Sequence, residues 1–274
     1  MFKILNKVSL NEKIKIIEIE AQNIATNCLP GQFIILRVDE FHERLPFTIF
    51  NNTQNSIFIL YQIVGEGTTF LDKLQTGDYI LDIVGPLGKP TDISNIKNAI
   101  VIAGGVGCGV AFPVVKSMKE NNINVTSIMG FRNIDYVILE DDFNTYSDHL
   151  YLMTDDGSYK NKGLVTEKLE ELLKLNKYDK VFAIGPLPMM KYVSLITKKY
   201  NVPTIVSMNP IMIDGTGMCG GCRISVDGKS KFACVDGPDF DGHKVDFDVA
   251  IYRNKTYVDI EKNNYEHVCN LLRS

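Results

Sequence analysis

The sequence predicts a β-barrel domain joined to a doubly wound α/β domain, with a small irregular segment rich in glycine and cysteine toward its end. Three observations predict this. Residues 1–97 alternate polar and apolar between Gly, Pro and Asn breaks, as half-buried antiparallel strands do. From Asn98 the rhythm becomes strand, glycine turn, helix, which implies a parallel sheet covered by helices on both faces. After Met208 regular periodicity stops, and Gly, Asp, Cys and Pro dominate to about Asp241.

Length and composition agree with that division. A chain of 274 residues holds two domains and an appendage, at roughly 100 to 200 residues per domain. The boundaries read as 1–97, 98–207, 208–250 for the Cys-rich segment, and 251–274 for a tail expected to contact a partner. With 45% hydrophobic and 23% charged residues the composition is that of a globular protein. The formal net charge of −4 and the lack of a basic stripe argue against a nucleic-acid partner. No apolar run approaches the roughly 18 to 20 residues that cross a bilayer, and the start alternates instead of carrying a signal-peptide core. A cytoplasmic protein without a membrane partner is expected. In that compartment 6 cysteines argue against a disulfide framework.

In the first part, strands are predicted around Ile14, Ile16 and Ile17 and over 33–38, 57–64 and 79–84, with a short helix over 68–74. In the second, the apolar run 99–103 leads through a turn at 104–109 into a helix over 110–120. Strands follow at 125–130, 150–153, 181–184 and 204–207. A helix over 165–175 places Leu169, Leu172 and Leu173 on one face; another covers 189–200, and 257–274 is a last helix candidate. The segment from 208 is too poor in apolar residues to order itself by burial, so something other than a core is expected to hold it.

A metal centre is the expectation, with Asp214 either a ligand or the cap of a turn. Asp214, Cys219, Cys222 and Cys234 follow the spacing D-x4-C-x2-C-x11-C, the plant-type 2Fe-2S spacing with aspartate where the first cysteine stands. Glycines 215, 217, 220 and 221 let the backbone wrap closely and aim N–H groups at sulfur. Zinc also accepts three thiolates and a carboxylate, so both metals stay open on the spacing alone. His243 is nearer a hydrogen-bonded role than a ligand role.

Three turns end strands on one side of the expected sheet. The first holds Gly104, Gly105 and Gly107 between strand and helix, where a pyrophosphate meets backbone N–H groups and the helix N-terminus. The others carry Asp155 and Asp156, then Gly185, Pro186 and Met189. Ligands of open α/β sheets sit at carboxyl ends of strands, so the three turns converge on one cleft. Arg132, after a strand, can reach a 2′-phosphate or lie as a surface charge. In the barrel half, Arg44-Leu-Pro46-Phe47-Thr48 offers a guanidinium and a hydroxyl on an extended strand, and Gly65-Glu-Gly67-Thr68-Thr69 offers N–H groups and hydroxyls for a pyrophosphate.

The order R-x-P-F-T, G-x-G-T-T, G-P-L-G, A-G-G-x-G, G-P-x-P-M and a Cys-rich tail resembles the flavin reductases of the ferredoxin:NADP reductase superfamily. Within it the chain is similar to the branch that holds the dihydroorotate dehydrogenase electron-transfer subunit and the small subunit of NADH-dependent reduced ferredoxin:NADP oxidoreductase, also called a sulfide dehydrogenase subunit. Asp214 favours the second, because the dihydroorotate branch usually keeps cysteine there. One departure concerns the superfamily arginine, whose place three residues before the hydroxyl is taken by Leu45, with Arg44 one earlier. The resemblance implies FAD in the barrel, positioned by Phe47 and Thr48, NAD(H) in the second domain with Cys108 beside it, and a 2Fe-2S cluster in the tail. It further implies an oxidoreductase subunit serving a larger iron–sulfur flavoprotein where electron bifurcation occurs, with ferredoxin reached through that subunit. The competing expectations are a dihydroorotate dehydrogenase electron-transfer subunit and a zinc-stabilised nucleotide-sensing module.

Overall fold

The computed structural model describes residues 1–256, so the helix expected over 257–274 lies outside the described residues. The first sheet has seven strands: β1 (Phe2–Ser9), β2 (Ile14–Glu20), β3 (Phe33–Arg37), β4 (Arg44–Asn52), β5 (Ser56–Gln62), β6 (Tyr79–Ile80) and β7 (Asp82–Leu87). Their order is β6-β1-β2-β5-β4-β3-β7, with antiparallel pairing throughout. The two edge strands are separated in the chain by Leu81 alone, whose N–H donates to Val38 O at 3.0 Å. The chain itself therefore brings the edges together, and the sheet is a nearly closed barrel. Ile17, Ile19, Ile34, Leu36, Ile57 and Ile59 fill it, with Leu71 from helix α2 (Glu66–Lys73) as a plug. A one-turn helix α1 (Gln22–Ala25) packs Ile24 and Ala25 under the same core.

Two strands exceed the sequence expectation. β1 was not expected because Ile4 alone among its residues is fully buried, which leaves no period to read. β4 extends through the whole R-x-P-F-T stretch to Asn52. Helix α2 also starts two residues earlier than expected, so Gly67 and Thr68 belong to its first turn.

The second sheet is built from β8 (Asn98–Gly104), β9 (Asn124–Phe131), β10 (His149–Thr154), β11 (Asn161–Lys162), β12 (Lys180–Ile184), β13 (Thr204–Ser207) and β16 (Asp239–Asp241), in the order β11-β10-β9-β8-β12-β13-β16. All neighbours are parallel except β13 and β16. Helices α3 (Gly107–Glu120), α4 (Glu140–Tyr146), α5 (Val165–Leu175) and α6 (Leu187–Lys199) connect the parallel strands. Leu169, Leu172 and Leu173 are buried as their spacing predicts. The chain runs outward from β8 through β9 and β10, then returns to β12 on its other side. The switch point of the sheet thus falls between β8 and β12. Helix α3 begins at Gly107, three residues earlier than expected, and it packs on the barrel through Phe112 against Phe50 (ring centroids 5.2 Å) and Lys116 Nζ donating to Asn51 Oδ1 at 3.1 Å.

The segment from 208 corrects the expectation that it lacks a core. Strands β14 (Arg223–Val226) and β15 (Lys229–Phe232) form a hairpin around Asp227–Gly228, followed by a turn of helix α7 (Ala233–Asp236), by β16, and by α8 (Phe247–Asn254). Ile224, Ala233, Phe240, Val245, Phe247 and Ala250 join Val193 and Met190 of α6 in one buried cluster. Asp-Gly between two short runs is a hairpin signal that sequence reasoning passed over.

Candidate functional site

A cleft of ≈ 880 Å³ runs between the barrel and the carboxyl ends of β8, β9, β10 and β12. The barrel lines it with Phe33, Pro46, Phe47, Thr48, Tyr61 and Thr68. Facing them are Gly104, Gly105, Gly107, Asp155, Gly185, Pro186 and Met189, with Arg132 at the end of β9. Antiparallel pairing brings the barrel residues together, because Phe33 sits opposite Thr48 and Ile34 opposite Phe47. The floor is rigid. Tyr61 is 1% exposed, its hydroxyl donates to Asp72 Oδ1 at 3.2 Å, and Lys7 Nζ pairs with the same oxygen at 2.9 Å. Burial, first, and the Asp72 charge push the Tyr61 phenol pKa up, so the ring presents a neutral face.

Five expected residues lie off the cleft lining: Arg44, Gly65, Gly67, Thr69 and Asp156. Arg44 is exposed at the start of β4, opposite Arg37 across the ladder. The G-x-G-T-T hydroxyls are engaged locally: Thr68 Oγ1 accepts from Gly65 N and Val64 N at 3.0 Å, and Thr69 Oγ1 donates to Gly65 O at 2.8 Å. They cap α2 and leave only Thr68 at the cleft. The Asp156 carboxylate accepts from Ser158 N at 2.9 Å, which lowers its pKa. Sequence reasoning missed the wall formed by Ser207, Met208, Asn209, Pro210 and Met212, although it follows the end of β13, where the strand-end rule points.

The three turn glycines differ in kind. A Cβ on Gly104 would lie 2.7 Å from Met189 Sδ, and one on Gly107 2.6 Å from Ile184 O, so Gly104 makes room for the Met189 side chain and Gly107 for the backbone after β12. Gly105, at φ +55, has nothing within 4 Å of the place a Cβ would take. That opening faces the cleft above the N-terminus of α3, where the backbone N–H groups of a helix start favour an anion. Cys108, next in the helix, is fully buried, and burial raises its thiol pKa. It is no nucleophile.

The four expected metal ligands fall into two pairs. Asp214 Oδ1 accepts from Thr216 N at 2.8 Å and Oδ2 from Cys219 N at 2.7 Å, and these N–H groups, Thr216 first, hold its carboxyl below the usual range. Cys219 is exposed, with Sγ accepting from Gly221 N at 3.4 Å. Cys222 and Cys234 are 1% and 2% exposed, and their Sγ atoms are 3.2 Å apart. Burial, then the neighbouring Cys222, pushes the Cys234 thiol up to about 12. Among the described residues no three His, Cys, Asp or Glu side chains are gathered to hold a metal ion. In kind the donors fit an iron–sulfur cluster: three sulfurs, one carboxylate, and backbone N–H groups directed at sulfur. Binding requires the two pairs to close on each other and the thiols to lose their protons. His243 stands apart, its Nε2 hydrogen-bonded to Thr197 Oγ1 at 3.0 Å.

A family model for the iron-sulfur cluster binding domain of dihydroorotate dehydrogenase B matches residues 209–246, the span that holds all four of these residues. The chain is 42% identical over 266 residues to a dihydroorotate dehydrogenase B (NAD(+)) electron transfer subunit homolog of Thermotoga maritima, covering 96% of this chain and 94% of that one. To the dihydroorotate dehydrogenase B (NAD(+)) electron transfer subunit of Clostridium acetobutylicum it is 35% identical over 219 residues, with 79% and 85% covered. The chain belongs to this family of electron-transfer subunits. A solved chain of the NADH-dependent reduced ferredoxin-NADP oxidoreductase, studied for flavin-based electron bifurcation, superposes with TM-score 0.92 at 40% identity and 98% coverage of each chain. The electron-transfer subunit is thus an oxidoreductase flavoprotein with an iron–sulfur segment. Among its described residues no helix is long and apolar enough to cross a membrane.

Proposed function

We propose that the protein passes electrons between NAD(H), FAD and a 2Fe-2S cluster, and from there to or from a larger iron–sulfur flavoprotein subunit in the cytoplasm. A nicotinamide delivers two electrons as hydride, a cluster takes one at a time, and a flavin does both. The observation that carries the reading is the single cleft, in which the flavin-type wall Pro46-Phe47-Thr48 faces the glycine turn at Gly105. On this reading Phe47, Thr48 and Tyr61 hold the isoalloxazine, Gly105 and the start of α3 hold the nucleotide pyrophosphate, and Asp155 and Arg132 border its adenosine end. Asp214, Cys219, Cys222 and Cys234 hold the cluster. No acid or base is required, so the residues orient the two rings and exclude water.

Asp214 favours the NADH-dependent ferredoxin:NADP oxidoreductase type over the dihydroorotate type, with ferredoxin reached through the larger subunit. Ile213 (52% exposed), Met218 (89%) and Val235 (45%) surround the cluster loop, and an apolar rim there suits that subunit. The test is anaerobic titration of the purified protein with NADH. Bleaching of a flavin band followed by a cluster band is expected. A colourless zinc protein overturns the reading, and a larger subunit that oxidises dihydroorotate overturns the choice of partner.

A further inference from the structure

In an antiparallel barrel one face of a strand meets the core and the other meets water. Strand β3 departs from this: Phe33, Ile34, Ile35 and Leu36 are 4%, 0%, 2% and 0% exposed. Ile34 and Leu36 point into the barrel, whereas Phe33 and Ile35 join the cluster that contains Met212, Cys222 and Cys234. The Cys-rich segment therefore seats on the outer face of the barrel. Two contacts flank the seat: Lys89 N donates to Gly237 O at 2.7 Å, and Thr91 Oγ1 donates to Asp239 Oδ2 at 2.6 Å.

At its centre is Gly215, one residue beyond the aspartate ligand. A Cβ there would stand 2.6 Å from Leu87 Cδ1 and 2.8 Å from Ile35 Cδ1, and φ is +75. Ile35 is paired across the ladder with Pro46, which lines the flavin wall. The chain of contacts from cleft to cluster loop is thus Pro46, Ile35, Gly215, Asp214, without a side chain at the third step.

We propose that Gly215 is a positioning residue whose missing side chain lets the cluster loop rest directly on Ile35 and Leu87, and so sets the distance over which electrons pass between flavin and cluster. The inference rests on the electron-transfer reading above. The step it governs moves one electron from reduced flavin to oxidised cluster; no bond forms or breaks between them.

The experiment uses the full chain with both cofactors bound. Three variants are compared: Leu87→Phe, which adds bulk under the loop and leaves the loop's own dihedrals alone; Gly215→Ala; and the double change Gly215→Ala with Leu87→Ala, which restores room. The readouts are the rate of cluster reduction after rapid mixing with NADH, and the magnetic coupling between the paramagnetic flavin and the reduced cluster. In Leu87→Phe both should fall, while the flavin-reduction phase, the cofactor content and the two midpoint potentials stay as in the parent. The double variant should recover the part of the coupling that Gly215→Ala loses to the clash with Leu87, the strain of alanine at φ +75 remaining. Unchanged coupling in Leu87→Phe with both cofactors in place overturns the proposal. A parent protein without flavin or cluster instead refutes the electron-transfer reading, so the two failures are distinct.

Discussion

Cys222 has two roles that its place in the spacing does not separate. Its sulfur is 3.2 Å from Cys234 and the residue is 1% exposed, among Ile224 and Ala233, so it packs the core besides the ligand role proposed for it. Cys222→Ala should abolish the visible iron–sulfur absorption and lower the unfolding free energy of the metal-free chain by on the order of 1 kcal/mol. Full iron content in that variant would falsify the ligand assignment. Asp239 allows a pH test at the same scale. Burial raises its carboxyl pKa despite hydrogen bonds from Thr91 and Ser207. Its stabilising contribution is complete below the ordinary aspartate pKa and is lost as pH rises through the higher folded value. Asp239→Asn should therefore lose less Tm than the parent between acidic and neutral pH. Parallel Tm curves for the two would contradict the shift. The ligand types were legible because cysteine and aspartate at fixed spacing are discrete letters. That Asp214 spends both oxygens on its own loop was not, since it depends on backbone direction.

At the scale of elements, the turn between β8 and α3 divides binding from packing. Gly105→Val should keep its flavin and cluster and lose NADH-dependent flavin bleaching, because the side chain enters open space over the helix N-terminus, although a branched residue at φ +55 also strains the turn. Gly107→Val should instead destabilise the protein by about 1–3 kcal/mol, because its Cβ meets Ile184 O at 2.6 Å. Thermal unfolding beside a stopped-flow trace separates the two outcomes. Unchanged NADH-dependent flavin bleaching in Gly105→Val would remove the distinction. Strand β8 and helix α5 were legible in the sequence because burial repeats along them, continuously in 99–104 and on one face at Leu169, Leu172 and Leu173. Strand β1 and helix α4 were not, because Ile4 and Phe143 are the lone fully buried residues of their elements and one residue makes no period.

For the whole molecule, the order of parts was legible and the seam between them was not. Phe33 and Ile35 look like the outward half of an alternating strand, and only the fold shows that the Cys-rich segment covers them. This seating has a consequence for electron exit. The cleft is lined on one side by Pro46, Phe47 and Thr48 and on the other by the glycine turn at Gly105, and Cys219 and Met218 are exposed in the Cys-rich loop. On the proposed reading, an electron that reaches the cluster leaves through solvent or another protein. The purified chain should reduce artificial one-electron acceptors with NADH, yet turn over neither dihydroorotate nor NADPH by itself. Met218→Glu should weaken association with the larger subunit, since a charge at the apolar rim is desolvated on docking, while NADH-dependent flavin bleaching persists. Analytical gel filtration of the two subunits reads the first effect and stopped-flow absorbance the second. Unaltered assembly with the charged variant would move the docking surface away from the cluster loop, and complete physiological turnover by the isolated chain would end the subunit reading.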